Sequence, residues 1–207
     1  YKTTDGGKTW KKILEISENT GVNNIIMDPR DSKVLYASSE QRRRHVFTKI
    51  GGGPETAIYK SVDGGESWDK LKSGLPGADM GGIGLAISPV NPDYVYAIIE
   101  AAGDAGGFFR STNRGATWQK MSDHTAQGQY YNEIYCDPID VNKVYSAETV
   151  SQFTLDGGKT WRAIGNNKRH VDDHAIWIDP SDTQHMFIGG DGGIYETFDG
   201  GKEYVFK

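Results

Sequence analysis

Cysteine occurs once in the 207 residues, at Cys136, so no disulfide can form within the chain. A core of this size needs no covalent staple, and a single cysteine leaves the compartment open. No apolar run approaches the roughly 18 residues of a membrane-spanning helix, and no signal-peptide pattern is present. The net charge of −5 gives no reason to expect nucleic acid as a partner. Gly-rich phosphate loops, paired CxxC motifs, nucleophile elbows and EF-hand loops are all missing. A helical period is also missing, and helix is expected to be near absent. Glycine and aromatic residues are plentiful, at 27 residues and 11% respectively, which suits short strands joined by many turns.

One octet is written five times. Thr154-Leu155-Asp156-Gly157-Gly158-Lys159-Thr160-Trp161 has counterparts at Thr3 to Trp10, Ser61 to Trp68, Ser111 to Trp118 and Thr197 to Tyr204. The shared pattern is Ser/Thr-x-Asp-x-Gly-x-Ser/Thr-Trp, flanked by strand-like runs, which reads as a hairpin corner. Glycine supplies the positive φ, and the carboxylate accepts hydrogen bonds from turn amides. Two copies depart from it: Asn113-Arg114 replaces Asp-Gly but keeps an acceptor, and Glu203-Tyr204 replaces Thr-Trp. A second phrase lies upstream of each later octet, an apolar run ended by proline, as in Ile25 to Pro29, Leu85 to Pro89, Ile134 to Pro138 and Ile176 to Pro180. Proline cannot donate to a sheet ladder and so marks a strand end.

Trp10, Trp68, Trp118, Trp161 and Tyr204 are spaced by 58, 50, 43 and 43 residues. Four short strands fit in each interval, which is the arithmetic of a β-propeller blade. The extra length of the first interval falls in one insertion, Gln41 to Thr56. Complete four-stranded units are expected at about 22–72, 82–121, 130–165 and 173–207 of a single propeller segment 1–207, with 1–16 supplying only the outer half of an earlier unit. The chain begins inside a repeat, at Tyr1-Lys2-Thr3, so an upstream segment is expected. The remainder of the propeller, or another chain, is expected to close the ring.

The octet resembles the Asp-box, or bacterial neuraminidase repeat, of sialidases, sortilin-type receptors, family 74 xyloglucanases, photosystem assembly factors and many secreted bacterial proteins. The resemblance implies an all-β propeller of antiparallel blades, with the box at the corner between the third and outer strands, remote from the ligand. Asp5, Asp63, Asn113, Asp156 and Asp199, with Trp10, Trp68, Trp118 and Trp161, are then structural. It also implies an extracellular, periplasmic or cell-surface location, and ligands on the face opposite the boxes.

On that face the densest cluster is His170-Val171-Asp172-Asp173-His174, ahead of the strand Ala175-Ile176-Trp177. Strand alternation would put His170, Asp172 and His174 on one side, a weak candidate for a metal or for acid–base chemistry, and His170 and His174 are expected among the ligand-binding residues. Satisfied polar groups at a strand entrance are the plainer reading, and no cofactor is expected. Family 74 xyloglucanases carry catalytic aspartates in comparable Gly-flanked loops, and the resemblance offers Asp191, in Gly189-Gly190-Asp191-Gly192-Gly193, as one such residue, although Gly-Asp-Gly-Gly is also an ordinary hairpin turn. A hydrolase needs a second carboxyl group, for which Asp172, Asp173, Glu148 and Glu100 are possible.

Arg42, Arg43 and Arg44 open the insertion and suit an acidic glycan or peptide, against the reading of a solvated loop. Their adjacency, and the absence of Arg-Ile-Pro, disfavour sialidase activity. Tyr130 and Tyr131 suit sugar stacking or peptide contact, with one of them expected to pack against the next blade. The function expected is a non-catalytic module recognising a glycan or polypeptide on its loop face. The alternative is an endo-acting, family 74-like glycoside hydrolase, and a purely architectural role in a larger assembly is a third reading.

Overall fold

The computed structural model describes residues 1–126 and 130–207. The chain is all-β, and the described residues form four antiparallel sheets in succession, each made of consecutive strands paired with their neighbours. The first contains β1 (Thr20–Met27), β2 (Leu35–His45), β3 (Thr48–Gly51), β4 (Ile58–Ser61) and β5 (Asp69–Lys70). The second contains β6 (Met80–Ile87), β7 (Val95–Ala101), β8 (Gly107–Ser111) and β9 (Gln119–Ser122). The third is β10 (Ile134–Cys136), β11 (Val144–Ser146), β12 (Gln152–Thr154) and β13 (Arg162–Ala163). The fourth is β14 (Asp173–Ile178), β15 (Met186–Gly190), β16 (Gly193–Thr197) and β17 (Val205–Phe206). Helix among the described residues is limited to the 3-10 turns Gly103–Ala105 and Asn166–Lys168.

The repeated octets fold alike. In each, the leading hydroxyl donates to the Asp or Asn side chain at 2.8–2.9 Å, as Thr154 does to Asp156. The same side-chain oxygen takes the backbone N–H four residues on, as from Thr160 to Asp156 at 3.0 Å. Asn113 reverses one bond of the set: its amide donates to Thr117 Oγ1 at 2.9 Å, where Asp156 accepts from the Thr160 hydroxyl at 2.7 Å. Glu203 keeps the backbone bond to Asp199 at 3.0 Å, but has no hydroxyl to give. The first octet closes its own small ladder, with Lys2 bridged to Lys11.

Each later corner is tied to the turn between the first two strands of its own sheet. Gly64, Arg114, Gly157 and Gly200 donate their N–H groups to the carbonyls of Lys33, Asp93, Asn142 and Gln184. Corners and Pro-ended turns therefore share one face. Antiparallel succession sends the second-to-third-strand connections, and the links between sheets, to the opposite face.

Between sheets, tyrosines do the packing. Tyr36, Tyr96 and Tyr145, equivalent in their second strands, are almost fully buried. Each burial stabilises by about 2–3 kcal/mol. Tyr36 also donates its hydroxyl to Arg114 O at 2.9 Å, and Tyr96 to Val141 O at 2.5 Å, each reaching into the following sheet. The inner strands β1, β6, β10 and β14 together line one cavity of about 450 Å³, as radially arranged blades require.

The insertion is not a loop. β2 runs on to His45 and pairs with β3 through a two-residue turn, Val46-Phe47, forming a hairpin that stands out from the first sheet. Neither turn residue has positive φ, and both side chains are exposed.

Candidate functional site

The face opposite the corners gathers residues from three of the four sheets. His174, at the start of β14, directs Nε2 to Asp191 Oδ1 at 3.1 Å, across to the turn between β15 and β16. Its ring stacks on Tyr131, with centroids 5.2 Å apart and planes 15° from parallel. Tyr131 contacts Tyr130 at 6.4 Å, and Lys49 of β3 lies 5.4 Å from the centre of the Tyr130 ring. A row thus runs Lys49, Tyr130, Tyr131, His174, Asp191, from the protruding hairpin to the fourth sheet. Tyr131 is the buried member, whereas Tyr130 is 66% exposed and offers its ring to solvent.

Lys49 was not foreseen. Had Val46-Phe47 been taken as a two-residue turn, Lys49 would have paired with Arg44 and joined the basic residues already noted. Burial, and then the nearby Arg42, lower its pKa, against the opposing fields of Glu40 and Glu100. Arg42 and Arg44 share its side of the hairpin, and Arg43 is on the other with Ile50.

The cluster His170 to His174 does not assemble as alternation suggests. Asp172 has φ of +81°, and the ladder slips between Asp173 and Ala175. This bulge rotates the side chains out of a period of two. His170 turns its Nδ1 to the carbonyl of Val171, and its backbone N–H meets the Tyr195 hydroxyl at 3.3 Å. No group of three metal-ligating side chains occurs among the described residues. The expectation of one shared side for His170, Asp172 and His174 is therefore corrected.

Asp173 is corrected as well. Its carboxylate is gripped by both terminal nitrogens of Arg169, the second at 2.6 Å, and it accepts from the Ser151 hydroxyl. Both charged side chains are within 3% exposure. A carboxylate so fully engaged and sealed off is a structural ion pair, not an available acid or base. Asp172 keeps a buried Oδ1 with no hydrogen-bond partner, and only Asp191 among the three proposed carboxylates is well exposed, at 63%.

Glu148 has a different neighbourhood. Burial raises its pKa, and it sits 3.9 Å from His124, whose ring stacks on Trp161 at 3.9 Å. Burial lowers the His124 pKa to about 4. No sequence motif marks this pair, because its members come from different sheets.

A family model described as "Sortilin, neurotensin receptor 3" (Sortilin-Vps10) matches residues 1–152. The chain belongs to the Sortilin-Vps10 family. Within and beyond that match it is similar to a xyloglucanase of a Paenibacillus species, with 36% identity over 238 aligned positions covering 97% of this chain and 21% of the relative. It is also similar to a xyloglucanase of Hypocrea jecorina, with 30% identity over 130 positions covering 60% of this chain and 14% of that one. Among solved structures, an ancestral GH74 enzyme superimposes with a TM-score of 0.61 at 17% identity, over 93% of this chain and 25% of that chain. At that identity the likeness concerns the fold alone, and it is the propeller-type fold that the four sheets display. The Sortilin-Vps10 chain spans a quarter or less of each of these proteins.

Proposed function

We propose that this chain is the recognition segment of a larger Asp-box propeller, binding a glycan across its loop face without chemistry of its own. The observation that carries the reading is the row from Lys49 to Asp191, in which Tyr130 presents an open ring and Tyr131 joins it to a hydrogen-bonded His174–Asp191 pair. A sugar ring stacks on such a platform at low entropic cost, and its hydroxyls find an acceptor in the Asp191 carboxylate and a donor in the Lys49 ammonium at the other end of the row. The similarity to proteins named xyloglucanases favours a glycan over a polypeptide.

The rest of the ring comes, in this reading, from further blades. Exposed apolar side chains at both ends of the arc support it: Trp10, Ile25 and Met27 at one, and Ile194, Val205 and Phe206 at the other. The location follows as outside the cytoplasm. The test is titration of the chain with xyloglucan and other polysaccharides. Tyr130→Ala is expected to weaken binding about tenfold, in line with the loss of one stacking platform. Unchanged binding would remove the site.

A glycoside hydrolase is the second reading, favoured by those same relatives and by the exposure of Asp191. Release of reducing ends from polysaccharide, abolished by Asp191→Asn, would establish it. A full complement of glycan binding without any cleavage would exclude it for this chain.

A further inference from the structure

Within a chain of net charge −5, the hairpin from Arg42 to Lys49 concentrates four cations. Its register sets Arg44 directly opposite Lys49 and Arg42 opposite Gly51, so Arg42, Arg44 and Lys49 share one side. Like charges placed opposite each other across a ladder destabilise it. The arginines that form ion pairs among the described residues are Arg30, Arg114 and Arg169, so Arg42 and Arg44 keep their guanidinium groups for something else. Nearby carboxylates temper the patch: Glu40 is largely buried, and Glu100 accepts the Gly82 N–H at 3.1 Å. The cationic side is joined to the aromatic platform through Lys49, above the Tyr130 ring.

Resting on the glycan reading above, we propose that the ligand is an acidic glycan, whose carboxylate or sulfate is held by Arg42, Arg44 and Lys49 while its ring stacks on Tyr130. A guanidinium fork matches the two oxygens of either group, and the repulsion within the hairpin is relieved when the anion arrives. Neutral xyloglucan would leave Arg42 and Arg44 without a counter-charge.

The test compares polygalacturonate (carboxylate), a sulfated galactan (sulfate), neutral xyloglucan and poly-glutamate on the 207-residue chain, at low and at high salt. The acidic glycans are expected to bind about tenfold tighter than xyloglucan at low salt and to lose that margin at high salt. The double variant Arg42→Gln/Arg44→Gln should lose about tenfold on acidic glycans only, with a melting temperature no lower than that of the native chain, while Tyr130→Ala weakens every glycan. Whichever of the two acidic arms is tighter names the anion. Equal binding of xyloglucan, untouched by the double variant, would overturn the acidic ligand and leave the glycan site standing. Poly-glutamate bound as tightly as the glycans, and indifferent to Tyr130→Ala, would overturn it in favour of plain charge attraction. Absence of binding to every glycan would overturn both readings.

Discussion

Arg169 and Asp173 form a two-pronged ion pair inside the junction of the third and fourth sheets, with both side chains all but inaccessible. Removing one partner leaves the other charged and buried, so Asp173→Ala is expected to cost about 3–5 kcal/mol. Asp191→Ala, at an exposed site, is expected to change stability by less than about 0.5 kcal/mol. Urea denaturation of the two variants checks the contrast. Equal stabilities would mean that the Arg169 pair contributes nothing to folding.

The box corners should tolerate an amide but not a methyl group. In Asp156→Asn the oxygen still takes the backbone N–H of Thr160, and the amide can donate to the Thr160 hydroxyl, as Asn113 does to Thr117. Asp156→Ala loses both bonds, together with that from Thr154, and is expected to cost about 1–2 kcal/mol against less than about 0.5 for the amide. Acid should tell them apart too. Hydrogen bonds from Thr160 and Thr154 bring the Asp156 pKa down to about 2, although desolvation acts first and against them. A depressed carboxylate stabilises the fold above its unfolded value of 3.8 and loses that contribution as pH falls toward 2. Melting curves between these values should fall less steeply in Asp156→Asn than in the native chain.

The corners were legible because their chemistry is local: Thr154, Asp156 and Thr160 satisfy one another within seven residues, wherever the sheet lies. The strand order followed from them, since short links force consecutive strands to pair. The entrance to β14 was not legible. Alternation separates Asp172 from Asp173 only when the start of the period is known, and a bulge with a left-handed Asp172 moves that start. The hairpin of β2 and β3 hid for another reason. Val46-Phe47 lacks the Asn-Gly signal of a two-residue turn, so Lys49 and its place above Tyr130 stayed out of sight.

Arg114 occupies, at φ of +58°, the corner position that glycine fills in the other four boxes. A side chain there costs about 1 kcal/mol. The guanidinium offsets this by reaching 3.3 Å from Asp28, a buried carboxylate that Arg30 also holds. Arg114→Gly relieves the backbone and loses the ion pair, and a net change within about 1 kcal/mol is expected. Arg114→Ala keeps the strain and loses the pair, so it should be the less stable of the two by about 1 kcal/mol. Chemical denaturation of both variants decides, and the reverse ranking would show that left-handed backbone strain does not govern this position.

Two histidines should push acid stability in opposite directions. Burial against Trp161 takes the His124 pKa from 6.5 to about 4, so the unfolded chain binds the proton first. Its contribution is whole above pH 6.5 and is withdrawn as pH falls toward 4, by up to about 3 kcal/mol. Glu196, and then Asp179, raise His185, whose smaller surface contribution is whole below 6.5 and is lost as pH rises through the folded value. Glu148, raised by burial beside His124, also stabilises from the acid side, so the native slope is a sum. The variant His124→Phe isolates one part of it: the ring can still stack on Trp161, and nothing titrates. Its melting temperature relative to the native chain should climb steadily as pH falls from 6.5 to 4.5. A constant offset over that range would show that His124 takes up its proton in the folded state as readily as in the unfolded one.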